Sequence, residues 1–145
     1  MIPTNEIYDD EDEFEADFTV EEKPSLTYAM KIKGDPAKDN TFLGTIDEEE
    51  AIRQAIMKIL NTERYEHEIY SWDYGIELQD LFGQPMNAAM SELEHRITDA
   101  LTADDRIEEV KNFTVQRVGK RTVHCMFTVV TAQGDEIEEE TEVEV

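Results

Sequence analysis

Residues 61–83 read NTERYEHEIYSWDYGIELQDLFG, and the rest of the chain is organised around them. The stretch holds the only tryptophan, Trp72, and three of the five tyrosines, Tyr65, Tyr70 and Tyr74. Glycines stand at its breaks, Gly75 and Gly83. An apolar helical pattern runs into it and a second one runs out. Aromatic side chains bury large areas, and Tyr and Trp also need a hydrogen-bond partner when they do so. The expectation is a packed elbow joining two helices, with the Trp72 ring inside. The alternative for Trp72 is an exposed anchor for a partner.

Before the elbow, Ala51, Ile52, Ala55, Ile56, Ile59 and Leu60 form one stripe at helical spacing. Asp47 followed by Glu50 resembles a capping box, and Glu48 and Glu49 suit the positive end of the helix dipole. After it, residues 75–81 predict a short helical turn closed by Gly83, and Pro85 suits the first turn of a helix. Met86, Ala89, Met90, Leu93, Ile97, Ala100 and Leu101 give the second stripe. Asp104-Asp105-Arg106-Ile107 ends it and begins another brief turn.

Upstream, Leu26, Tyr28, Met30 and Ile32 alternate, which predicts a strand over 26–32 with one buried face. Gly34-Asp35-Pro36 breaks it, and a shorter strand is expected over 41–46. The last third reads as a β-meander. Phe113 and Val115 alternate inward, Gly119-Lys120 turns the chain, and Val123, Cys125, Phe127 and Val129 give the middle strand its core face. Met126 and Val130 make the other face partly apolar, as if something covered it. In the final strand Glu136, Glu138, Glu140, Glu142 and Glu144 share one face, opposite Ile137, Glu139, Thr141, Val143 and Val145. Such a row of like charge marks an edge that resists casual pairing. The fold class expected is α+β: two main amphipathic helices packed on an antiparallel sheet ending in a three-stranded C-terminal meander.

The chain has 145 residues, 39% of them apolar, a length and content that can bury a real core. Its formal charge of −23 argues against nucleic acid and against an anionic membrane surface, and favours partners with basic faces. A single cysteine excludes an internal disulfide, and no zinc-ligand spacing accompanies it. No apolar run approaches the roughly 20 residues of a membrane span, and the acidic start is unlike a signal peptide. Synthesis and retention in a cytoplasm are expected. Residues 1–23 carry the block Asp9-Asp10-Glu11-Asp12-Glu13 and read as an acidic, flexible tail, dispensable for the fold. Residues 24–145 read as one α+β domain.

No enzyme emerges. Paired carboxylates are what a glycosidase needs, but with 36 acids some pair falls at a suitable distance by chance, and no cleft motif accompanies one. The three histidines are far apart in sequence, and neighbours His124 and Cys125 point to opposite faces of a strand. Cys125 is most simply a small core hydrophobe. No glycine-rich phosphate loop, catalytic set, metal site or cofactor is expected. Two arginines stand out because bases are scarce. Arg64 and Arg106 each follow a helix end, where dipole compensation or a local ion pair competes with an interface role.

The order Thr62-Glu63-Arg64-Tyr65, Ile69-Tyr70-Ser71, Tyr74-Gly75 and Glu77-Leu78 resembles the baseplate wedge family of contractile phage tails, in the form carried by PBSX-type prophages, the XkdS-like proteins. Gly44 with Asp47, Glu50-Ala51, Gln54-Ala55-Ile56, Glu92-Leu93-Glu94 and Asp105-Arg106-Ile107 extend the likeness over about 26–132. Some members have carried the label "tail lysozyme", which no residue here justifies. The wider family has a Glu-Pro-Arg triad where this chain has Asp104, Asp105 and Arg106, so the arginine is kept, the glutamate shortened and the proline lost. The resemblance implies a non-catalytic wedge component that binds other wedge subunits and hub or tube-associated proteins, and templates the first ring of sheath protein. It implies several copies, about six, closing a ring. The protein would be assembled in the host cytoplasm and end in the virion, at the tail baseplate. The partner interface is expected at Arg106, Asp104, Asp105, Arg64 and Glu63, with Arg106 turned outward and its alanine variant folding as stably as the parent. The runner-up reading is an acidic adaptor or regulator of a cellular protein, ahead of a glycosidase.

Overall fold

The computed structural model describes residues 25–30 and 44–145. The expected tail at 1–23 lies outside them, as do residues 31–32 and 41–43 of the two predicted N-terminal strands. Within them the order is β1 (Thr27–Tyr28), β2 (Thr45–Ile46), α1 (Glu48–Leu60), a 3-10 turn (Gln79–Leu81), α2 (Met86–Thr102), β3 (Ile107–Arg117), β4 (Thr122–Thr131) and β5 (Glu136–Glu144). The class is α+β, as the residue patterns predict.

Two antiparallel sheets are present, β1-β2 and β3-β4-β5. Both predicted stripes face the core. Ile52, Ile56 and Ile59 of α1 meet Leu93, Ile97 and Leu101 of α2, over Val123, Cys125, Phe127 and Val129 of β4. The five alternate glutamates of β5 all lie outward, while Ile137 and Val143 point in. Phe113 and Phe127 stack across the sheet at 5.6 Å between ring centroids. On the outer face Met126 remains 37% exposed, while Thr128, two residues on, is buried.

Three local expectations need correction. First, the brief turn expected after α2 forms, with Ile107 N–H donating to Asp104 C=O at 2.9 Å, but Ile107 also opens β3, and the strand runs through two register shifts, one of them around Asn112 at φ 54°. Second, Asp47 does cap α1, but its carboxylate accepts from Glu48 N–H and from the Ser25 hydroxyl instead of forming the expected box with Glu50. Third, the predicted apolar face of the first strand points out. Leu26 is 58% exposed and Tyr28 68%, while the strand is held from its other side by a backbone clamp. That clamp is Gln54. Its amide donates to Tyr28 C=O at 2.9 Å and accepts from Met30 N–H at 2.7 Å, so a buried side chain of α1 stands in for a neighbouring strand.

Candidate partner interface

The elbow is closed at its base by backbone. Arg64 N–H donates to Ile76 C=O at 3.0 Å and Ile76 N–H to Thr62 C=O at 2.9 Å, a single parallel bridge. Gly75 is required at this crossing. Its φ is +99°, and a Cβ there would lie 2.5 Å from Thr62 O. The predicted site residues Glu63 and Arg64 serve this closure. The Glu63 carboxylate accepts from Leu78 N–H at 3.0 Å and Gln79 N–H at 3.1 Å, capping the 3-10 turn. Arg64, only 11% exposed, donates to Gly75 C=O and to Asp99 of α2, with Glu77 at 3.7 Å. Arg96 completes the lock by donating to Glu77 C=O at 2.7 Å.

What this base holds up is exposed. Trp72 is 77% exposed, Ile69 87% and Tyr65 66%; of the elbow aromatics, Tyr74 packs against the core and stacks on Tyr70 at 4.5 Å. The expectation of a buried Trp72 is overturned. The elbow is closed at a base of polar groups and glycine, and Ile69 and Trp72 at its tip face solvent.

At the other end of α2, Asp104 and Arg106 close on each other. Arg106 donates through Nε to Asp104 Oδ1 at 2.9 Å and through Nη2 to Oδ2 at 2.7 Å, and its own N–H adds a third bond at 3.0 Å. Burial pushes the Asp104 carboxyl up, but these bonds outweigh it and leave it below its ordinary 3.8. The same fork raises Arg106 further. Arg106 is therefore folded back on its own corner, with 35% of its side chain exposed, and not extended outward as the sequence suggested. Asp105 between them is exposed. A groove of about 520 Å³ runs from this corner past Tyr74, Asp73 and Ser71 of the elbow to Leu26 beside β1. The Asp104–Arg106 corner and the elbow thus border one surface. Arg64 and Glu63 sit under the elbow rather than on the groove.

Another arginine clamps two elements together. Arg53 on α1 donates to Glu138 C=O and to the Glu139 carboxylate of β5, a link that residue spacing alone gives no means of finding. Among the described residues no group of three or more His, Cys, Asp or Glu is placed to hold a metal ion, and no helix is long and apolar enough to cross a membrane.

Residues 26–134 match the family described as contractile injection system sheath initiator. The chain belongs to that family. It is also 40% identical over 94 residues to the phage-like element PBSX protein XkdS of Bacillus subtilis (strain 168), a match spanning 62% of this chain and 66% of that relative. The crystal structure of a putative tail lysozyme from Geobacter sulfurreducens shares the fold, with a TM-score of 0.56 at 20% identity, over 67% of this chain and 90% of the other. The sheath-initiator match takes in the elbow, the Asp104–Arg106 corner and strands β3 and β4 of the meander, and ends before β5.

Proposed function

We propose that this protein is a non-enzymatic structural component of a contractile phage tail or tail-like particle, sited in the baseplate wedge and templating the first ring of sheath. The observation that carries this reading is the sheath-initiator match over 26–134. The partners are neighbouring wedge subunits, hub or tube-associated proteins and sheath protein, in several copies about the tail axis. Assembly takes place in the host cytoplasm.

Two physical features support it. The edge strands β3 and β5 flank β4 and leave outer main-chain groups suited to joining a partner by strand addition. The Asp104–Arg106 corner offers a preformed, bidentate guanidinium beside a groove, with arginine's remaining donors available to a partner's carbonyl or carboxylate.

The test is a host lacking this gene, complemented with Arg106→Ala or Arg106→Lys. The alanine variant is expected to lose roughly 1 kcal/mol of stability with the clamp, yet to block sheathed-tail assembly well beyond the fraction unfolded. Lysine should restore assembly only in part. Normal tails from whatever alanine protein remains folded would remove Arg106 from the interface.

A further inference from the structure

We propose a second partner contact at the tip of the elbow, where Ile69 and Trp72 insert into an apolar pocket rimmed by Lys or Arg on a neighbouring tail protein. The inference rests on the proposed assembly role and adds to it a surface and the chemistry of its occupant.

Four observations converge. Trp72 and Ile69 are 77% and 87% exposed, so a large indole and an aliphatic side chain stand in water on the same short loop. A buried tryptophan is among the strongest anchors an interface can have. The loop that carries them is ordered by its own contacts. Tyr70 N–H donates to His67 C=O at 3.2 Å, Tyr74 N–H to Ser71 C=O at 3.1 Å, and Tyr70 stacks on the half-buried Tyr74. With its base bridged at Thr62, Arg64 and Ile76, the tip is presented rather than loose, which lowers the entropy lost on binding.

The charge around the tip selects the occupant. Glu66 and Glu68 are exposed on either side of His67, and the Asp73 carboxyl, held below its ordinary 3.8 chiefly by the Ser71 hydroxyl, stays ionised. An apolar anchor ringed by carboxylates fits a pocket ringed by bases. It opposes a second copy of this chain at net charge −23, and an anionic bilayer equally. Finally, the elbow continues into the groove that ends at Asp104 and Arg106, so a partner on the corner is already beside the tip.

The experiment places the photo-crosslinking residue p-benzoylphenylalanine at position 72 of the full chain, assembles tails in the complemented host and maps crosslinks by mass spectrometry. Trp72→Ala, Ile69→Ser and the double change Glu66→Lys with Glu68→Lys are scored beside it for incorporation into tails. Val118→Ser, on another exposed apolar side chain, is the control. The expected result is a crosslink to a tail protein at apolar residues flanked by Lys or Arg, roughly tenfold or greater loss of incorporation for Trp72→Ala and for the charge reversal, and unchanged melting temperature. Full incorporation of Trp72→Ala, or crosslinks only to another copy of this chain or to lipid, would overturn the proposal while leaving the assembly role intact. Failure of the unaltered protein to enter tails would instead overturn the assembly role itself.

Discussion

At the residue scale, the tightest constraints lie where backbone meets backbone. Gly75 crosses under Thr62 at positive φ with no room for a methyl group. Gly75→Ala should therefore cost roughly 2–3 kcal/mol in denaturant unfolding, from left-handed strain plus the opened bridge. A loss below about 0.5 kcal/mol would show that the crossing is looser. Asp104 gives a pH signature. Its carboxyl is lowered in the folded protein, so its contribution is complete above the unfolded value of 3.8 and disappears as pH falls through the lower folded value. Asp104→Asn should flatten that part of the acid limb; an unchanged acid limb would contradict the clamp. Burial pushes the Cys125 thiol to about 11. Alkylation near neutral pH should be negligible in the native protein and rapid in denaturant, and equal rates in both would place the thiol at the surface.

At the element scale, both helices could be read from spacing, because an amphipathic stripe names the buried face of a helix once a core exists to receive it. The same held for β5, whose glutamates leave only one face to bury. It failed for β1, since alternation says which residues share a face but not which face is inward. The deciding partner, Gln54, lies 24 and 26 positions away and acts through backbone bonds that no side-chain pattern reports. Gln54→Leu keeps the volume and removes both bonds. It should cost about 1–3 kcal/mol and expose the Met30 amide to hydrogen exchange. Unchanged protection there would contradict the clamp.

The elbow and the Asp104–Arg106 corner show the same limit at a site. Large aromatics read alike whether they fill a core or await a partner, so Trp72 was misplaced. Arg106 two positions after Asp104 already contained the local pair, and scarcity of bases drew attention outward instead. Glu63 and Arg64 were expected at a partner interface, and the structure shows them bonded within the elbow's base.

At the scale of the whole molecule, 36 acids against 13 bases leave a field that opposes compaction and favours basic partners. The arginines at 53, 64 and 96 tie segments together, and Arg106 closes a local pair with Asp104. Raising salt from roughly 10 mM to about 0.5 M should stabilise the isolated protein, because screening relieves repulsion over longer range than these short pairs act. A falling melting temperature would mean that the clamps dominate.

The proposed role of this chain in starting a contractile sheath is tested by imaging tails from a host from which the gene is deleted. Electron microscopy should then show tubes or baseplates without ordered sheath, with sheathed tails restored on complementation and the protein found at the baseplate end by immunogold labelling. Normal sheathed tails in the deletion host would contradict it.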